Sequence, residues 1–330
     1  MTRIEKSFMI CVLICLTIMI YYFPATYIVK TTDSLLGPVR QRSRCDYVGF
    51  EIPKTGNRLG NYLFYYSAVM YVAWLTGRRP CIWTKSTRTL LDRVFDVAIQ
   101  RVDVTTLACP LYRFTQHKVG VYDRRVESLV GRCHNESLLL KGFFQSWKYA
   151  EPVAEQLRQH LAFRRELVEF VAEFLTNSVP MDWNGLEFVR VGIHVRRGDF
   201  LRARARHRGF TVADERYLQR AMRHFVRRFP RVQFLVVSND IHWCQQHISL
   251  HGSGVNVTYS TGHDTGQDLA LLASCDHTVM TTGTYSWWAA WLANGITIYY
   301  ANYPRRGSWL STQMYKNDYY HPKWIGIDDT

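Results

Sequence analysis

The hydrophobic positions of the chain fall into three regions with different patterns. The first region begins with an unbroken apolar run from residue 8 to residue 23. The second, residues 46–185, mixes one long apolar helix pattern with shorter segments. The third, residues 186–330, alternates short, continuous apolar runs with helical patterns. Such alternation predicts parallel strands joined by helices that cover both faces of a sheet.

The two larger regions predict an α/β protein with two domains, 46–185 and 186–330. In the first domain a Gly/Asn-rich turn precedes a long helix that ends near Gly77, and 137–147 reads as a strand leading into a loop. Residues 154–177 have helical spacing. The second domain is predicted to be Rossmann-like. Its expected strands are 188–195, 232–238, 277–282 and 295–301, and its expected helices are 215–229, 242–248, 267–275 and 284–293.

The N-terminal apolar run predicts an uncleaved membrane anchor. As a helix, residues 8–23 would be about 24 Å long, which suits a thin early-secretory bilayer. No small-x-small cleavage site follows, although a cleaved signal peptide is the alternative. We therefore expect a cytoplasmic tail at 1–7, a transmembrane segment at 8–29 and a stem at 30–45. Basic residues flank both sides of the run, so the positive-inside rule does not settle the orientation.

Two further features indicate the secretory lumen. Asn135 and Asn256 each begin an N-glycosylation tripeptide. An even set of cysteines after the anchor is compatible with disulfides, with buried free thiols as the alternative. These cysteines are Cys45, Cys81, Cys109, Cys133, Cys244 and Cys275. Their spacing does not match that of a zinc site, so no structural metal is expected.

A formal net charge of +14 favours anionic ligands, whether nucleic acid, a membrane surface or a nucleotide-type substrate. The arginine-rich stretch 202–231 could be read as a nucleic-acid surface. It is better explained as a solvated face, and a luminal protein meets no nucleic acid. We therefore expect no nucleic-acid partner.

Unusual residues follow the predicted strand 188–195. Arg196 and Arg197 offer rigid forks of donors that match phosphate oxygens. Gly198 allows a sharp turn, and Asp199 could pair with an arginine and set its direction. A structural ion pair is the alternative. A cell-adhesion role for the Arg-Gly-Asp triplet would need an exposed loop, whereas these residues follow a buried strand.

Two more strand–helix junctions carry candidate ligand groups. The turn Thr282–Ser286 opens a helix, where free N–H groups and the helix dipole favour a phosphate. Asn239 and Asp240 are expected to cap the next helix, with ligand contact as the alternative. In the first domain, Arg58 lies in a Gly/Asn turn that would face the cleft. There is no P-loop, no GxGxxG and no Asp-x-Asp, so arginines and helix dipoles would neutralise a bound diphosphate.

Four segments resemble one family. "VGIHVRRGDF", "VVSNDIHWC" and the long block "DLALLASCDHTVMTTGTYSWWAAWLANGITIYYANYP" resemble the three motifs of the galactoside α-1,2-fucosyltransferases, glycosyltransferase family eleven. "GNRLGN" resembles the family's N-terminal turn. The resemblance runs from about residue 47 to residue 330. It implies a Golgi type II membrane enzyme of GT-B architecture with a luminal catalytic domain. It further implies metal-independent, inverting transfer from GDP-fucose to a galactose-terminated glycan, without a cofactor.

The resemblance also implies roles for individual residues. Arg196 matches the arginine held to bind the donor diphosphate, with Arg58 and the turn at 282–286 beside it. Asn61 matches an asparagine near the reacting sugar in a related class. The expected catalytic residues are thus Arg196, Asn61 and Arg58. The expected GDP-fucose contacts are His194, Arg197, Asp199, Asp268, Thr282, Gly283, Thr284 and Ser286, with His194 and Asp268 near the guanine.

One departure from the family pattern is Tyr62, where the family usually has Gln, so contacts at that turn could differ. Residues 80–140 match no motif and leave the acceptor open. The alternatives are a fucosyltransferase with another glycan or a protein acceptor, and a catalytically inactive glycan-binding Golgi protein. The sequence does not identify a general base.

Overall fold

The structure is a computed structural model that describes residues 45–51, 58–83, 89–97, 99–103, 109–132, 135–250 and 252–328. It is an α/β fold with two parallel sheets, as predicted; the GT-B architecture and the preceding transmembrane helix stay predictions. The predicted tail (1–7) and anchor (8–29) and all of the predicted stem (30–45) except its last residue lie outside the described residues. Within the described ranges, no helix is both long and apolar enough to cross a membrane.

The first sheet has five parallel strands in the order β3-β2-β1-β5-β4. Its central strands are almost fully apolar, as expected where both faces are covered. β1, β2, β3 and β4 were not predicted because their short runs carry no clear period. The strands are β1 (Tyr47–Glu51), β2 (Arg79–Trp83), β3 (Gln100–Val102), β4 (Leu111–Thr115) and β5 (Ser137–Lys141).

The second sheet has six parallel strands in the order β11-β10-β9-β6-β7-β8. Counted within this sheet, the order is that of a dinucleotide-binding fold, and the strand order reverses between β6 and β9. Ligands in such sheets bind outside the carboxyl ends of the strands at this reversal. The strands are β6 (Val189–Val195), β7 (Val232–Ser238), β8 (Val255–Tyr259), β9 (His277–Met280), β10 (Thr297–Tyr300) and β11 (Ile325–Ile327).

Eleven α-helices lie within the described residues, together with short 3-10 helices such as Gly198–Leu201. The predicted helical pattern at 154–177 is divided in two at residues 161–164. The helices are α1 (Leu59–Thr76), α2 (Trp147–Ala150), α3 (Ala154–His160), α4 (Arg165–Asn177), α5 (Ala203–Arg208), α6 (Glu215–Val226), α7 (Ile241–His247), α8 (Thr265–Ala273), α9 (Thr284–Ala293), α10 (Trp309–Gln313) and α11 (Lys316–Tyr319).

The two sheets share one core, in which α1 packs against α9. The ring of Phe64 lies 4.7 Å from that of Trp287 and 5.2 Å from that of Trp288. Both tryptophans are completely buried, so they pack in the core and offer no surface to a sugar. α1 ends where Gly77 adopts a left-handed conformation, with φ at 69°. The core therefore fixes the start of α1 beside the start of α9.

The five cysteines that the structure describes are free thiols. Cys45 and Cys109 lie together. A hydrogen bond with the Cys109 thiol, together with burial, raises the pKa of Cys45 to about 11. Cys133 lies outside the described residues. Asn135 is exposed at a turn, whereas Asn256 is partly buried in the edge strand β8 and accepts a hydrogen bond from Thr258 Oγ1 at 3.0 Å. Their glycosylation stays a prediction.

Candidate active site

A cleft of about 990 Å³ opens at the carboxyl ends of β6 and β9, where the strand order of the second sheet reverses. Residues of the first half of the chain complete it, including Arg58 and Asn61 at the start of α1. The volume is in the range of sites for ligands of nucleotide size. The predicted junctions after β6 and β9 therefore meet in one cavity.

Arg196 directly follows the C-terminal end of β6, and contacts hold both its backbone and its guanidinium group. Its backbone N–H donates to Thr281 Oγ1 at 2.9 Å, and its Nη2 lies 2.6 Å from Asp199 Oδ1. The other oxygen of Asp199 lies 3.2 Å from Arg58 Nη1. One carboxylate therefore aligns two guanidinium groups, one from each half of the chain. The Asp199 pairing expected from the sequence is present, and it leaves both arginines along the cleft.

The side chain of Asn61 links the two walls of the cleft. Its Oδ1 accepts hydrogen bonds from Thr284 Oγ1 and from Gln145 Nε2, each at 3.1 Å. With the oxygen engaged twice, the Nδ2 donors of Asn61 are left for the cleft. Gln145 is buried and was not predicted. Its only signal in the sequence was its position in the loop end of the segment 137–147, after the strand.

The turn before α9 supplies backbone donors. Gly283 has φ at 97°, a conformation that favours glycine, and no side chain described here caps the helix. The N–H groups of the first turn therefore stay available for an anion. Thr282, Gly283 and Thr284 line the cleft, but Ser286 does not. Ser286 is fully buried behind the turn.

His194 is buried at the end of β6 and lines the cleft. Its Nδ1 lies 2.5 Å from Ser286 Oγ. Burial lowers the pKa of His194 to about 3, so the ring is neutral at physiological pH. Ser286 therefore fixes the position of the His194 ring and does not itself reach the cleft surface.

Asp268 lies at the other end of the cleft, in the first turn of α8. Its pKa is raised to about 6, mainly because the carboxyl is buried, and the nearby charge of Asp264 adds to this rise. The hydrogen bond that it accepts from Ser260 Oγ, at 2.6 Å, acts in the opposite direction and lowers the pKa. Tyr285 closes this end, with its hydroxyl donating to the Thr265 carbonyl at 2.7 Å. An ionised carboxylate here can accept two adjacent N–H bonds, as the expected guanine contact requires.

The structure does not bring Arg197 to the cleft surface. Its guanidinium stacks on Trp243, 3.7 Å from the ring centre, and its Nε lies 3.5 Å from Asp240 Oδ2. Asp240 occupies the N-cap position before α7, as expected, but its side chain makes no capping hydrogen bond. Asn239 instead accepts the backbone N–H of Arg197 at 2.9 Å and lines the cleft. A direct donor contact by Arg197 is therefore not supported by its geometry.

A family model and individual relatives of known function match this chain over most of its length. The sequence model described as glycosyl transferase family 11 matches residues 29–328. Galactoside alpha-(1,2)-fucosyltransferase 1 of Rattus norvegicus is 33% identical over 275 residues, covering 83% of this chain and 71% of the relative. Galactoside alpha-(1,2)-fucosyltransferase 2 of Pongo pygmaeus is 30% identical over 302 residues, covering 91% of this chain and 84% of the relative.

Solved structures also match, at low identity. An Arabidopsis thaliana FUT1 mutant in complex with GDP has a TM-score of 0.49 and 12% identity, over 82% of this chain and 73% of that chain. POFUT1 in complex with GDP-fucose has a TM-score of 0.48 and 11% identity, over 77% of this chain and 96% of that chain. At these scores the matches carry no weight for the activity.

Proposed function

Because the chain belongs to glycosyl transferase family 11, we propose that it transfers L-fucose from GDP-fucose to the 2-hydroxyl of a terminal galactoside on a glycan. The product is an α-1,2 linkage. The observation that carries this function is the meeting of Arg196, Arg58 and the uncapped start of α9 at one point of the cleft. This arrangement suits a diphosphate that gains charge as it leaves.

The reaction is a single displacement with inversion. The acceptor hydroxyl attacks the anomeric carbon of fucose from the face opposite GDP, the bond to the β-phosphate oxygen breaks, and the hydroxyl proton is lost. Arg196, Arg58 and the N–H groups at 283–286 stabilise the leaving diphosphate. Both oxygens of Asp199 are engaged by guanidinium groups. Asn61 contributes hydrogen-bond donors beside the reacting sugar.

The finer features of the proposal follow the family. The two parallel sheets form a GT-B architecture with the donor at the second sheet, and the arginines take the place of a divalent ion. The apolar run 8–29 anchors the protein in the Golgi membrane as a single-pass type II protein with the catalytic part in the lumen. The glycosylation tripeptides at Asn135 and Asn256 support this orientation.

A comparison of matched acceptors tests the function. We expect the full chain, solubilised in mild detergent and assayed in EDTA, to fucosylate a β-galactoside but not its 2-deoxy analogue, which lacks the attacked oxygen. Transfer to both acceptors would contradict the linkage. Transfer only to a protein acceptor would favour the alternative acceptor class. Absence of any transfer, with GDP-fucose still bound, would favour an inactive glycan-binding protein.

The raised pKa of Asp268 predicts a pH dependence of donor binding. If Asp268 accepts N–H groups of the guanine, the affinity for GDP-fucose falls as pH drops through about 6, because the carboxylate is then protonated. Calorimetry with GDP-fucose checks this, since its doubly esterified diphosphate does not titrate in this range. Asp268→Asn should bind weakly and without the pH dependence. A wild-type affinity that is constant down to about pH 5 would contradict the guanine role.

The ionisation of Asp268 also changes the stability of the fold with pH, in the direction opposite to its effect on donor affinity. A carboxyl whose pKa is higher in the folded state than in the unfolded state binds its proton more tightly when folded. The contribution of Asp268 to the free energy of unfolding therefore falls as pH rises from about 4 to about 6. Donor affinity and this stability contribution move in opposite directions over that interval, which is characteristic of a binding group held at a cost in stability.

A further inference from the structure

The cleft extends beyond the donor site along a wall of half-exposed aromatic side chains. Phe200 packs beside Gly283, where a Cβ built on the glycine would lie 3.7 Å from the Phe200 ring. The Phe200 and Phe210 rings are 4.4 Å apart. Both line the cleft, as does Trp309, whose neighbour Ser308 lies against Gly209, next to Phe210. The wall therefore begins at the turn that holds the diphosphate and leads away from it.

Trp309 and Arg208 form the outer part of this wall, here called the Trp309 platform. α5 ends at Gly209, whose carbonyl accepts the Arg305 N–H at 2.9 Å, and this bond brings residues 305–309 beside Arg208. The Arg208 guanidinium lies 5.0 Å from the centre of the Trp309 ring. Trp309 is nevertheless 49% exposed. The exposed indole therefore lines the cleft with a guanidinium at its side.

An indole and a guanidinium together suit a sugar ring. The C–H face of a hexose packs on an aromatic ring, and arginine N–H groups bond its hydroxyl or amide oxygens. The galactose must lie near Asn61 and Gly283, where its 2-hydroxyl meets the fucose carbon. The wall leads from there to Trp309, so the next sugar of the glycan lies in that direction.

We propose that the Trp309 platform binds the second sugar of the acceptor, the one to which the terminal galactose is attached. This inference rests on the proposed function, because it takes the direction of the acceptor from the place of fucosyl transfer. It makes the protein selective for extended glycans over isolated galactosides. Trp309 and Arg208 are specificity residues in this account and take no part in the chemical step.

The test compares a disaccharide with a monosaccharide acceptor. For Trp309→Ala, we expect the KM for N-acetyllactosamine to rise about tenfold, while the KM for methyl β-galactoside changes by less than about twofold. The kcat values and the KM for GDP-fucose should be close to those of the wild type. Trp309→Phe, which keeps an aromatic face, should restore most of the disaccharide affinity. Trp74→Ala is the matched control, since Trp74 is 56% exposed on α1 and outside the cleft.

The outcomes separate this inference from the proposed function. An unchanged KM for the disaccharide, or an equal rise for both acceptors, would overturn the platform. If the wild-type protein made no fucosylated product, the proposed function would fail. In that case saturation-transfer NMR with N-acetyllactosamine would decide the platform. Signal at the N-acetylglucosamine ring that is lost in Trp309→Ala would support the platform, and its absence in the wild type would overturn it.

Discussion

Replacement of Arg196 by alanine is expected to lower kcat for fucosyl transfer by about 10³-fold, because a preorganised donor to the leaving diphosphate is removed. Asp199 holds the guanidinium at 2.6 Å, and the bond from the Arg196 backbone N–H to Thr281 fixes the main chain, so the donor is preorganised. Arg196→Lys keeps the charge but loses the fork, and should recover about tenfold of that loss. Initial rates at saturating GDP-fucose measure both.

The adjacent Arg197 provides the comparison. Since its guanidinium stacks on Trp243 away from the cleft, Arg197→Ala should cost about tenfold at most in kcat and should lower the melting temperature. An equal loss of activity in the two alanine variants, with both proteins folded, would contradict the assignment of the diphosphate to Arg196.

Gly60→Ala is expected to lower kcat by about 10²-fold and to destabilise the fold by about 1–3 kcal/mol, although it adds one methyl group. A Cβ at residue 60 would lie 2.6 Å from the backbone carbon of Thr284 and 2.6 Å from the backbone nitrogen of Tyr285. Backbone atoms cannot rotate away as a side chain does. α1 must therefore move from α9, which separates Asn61 from Thr284. Steady-state kinetics and thermal melting measure the two effects.

Gly131 supplies a matched control, because a Cβ built there meets no atom within 4 Å. Gly131→Ala should leave both activity and melting temperature unchanged. Full activity of Gly60→Ala would show that the close approach of α1 and α9 is not needed for transfer.

The strands of the second sheet near the site could be predicted from the sequence. The runs that form β6 and β7 are rich in valine and other β-branched or apolar residues, so their ends and the residues after them were located to within a residue. β8 and β11 were missed, because edge strands are short and their residues are only partly apolar. Of the first sheet only β5 was predicted, because the runs that form the other four strands are short and carry no clear period.

The site residues that directly follow predicted strands could be predicted from the sequence. Those that are placed by contacts between distant parts of the chain could not. Arg196, Asp199 and the turn at 282–284 follow strands, so the parallel-sheet rule brought them together. Gln145 and Trp309 lie in segments with no recognisable pattern, and their positions depend on contacts between distant parts of the chain. The direction of the Arg197 side chain also depends on such a contact, with Trp243 on α7.

The linkage of the product is the most direct test of the central claim. The full chain is incubated with GDP-fucose and a β-galactosyl disaccharide in EDTA, and the isolated trisaccharide is examined by NMR. The account predicts α-linked fucose on the 2-oxygen of galactose. Fucose on another oxygen or in the β configuration, or activity that disappears in EDTA and returns with a divalent cation, would contradict it.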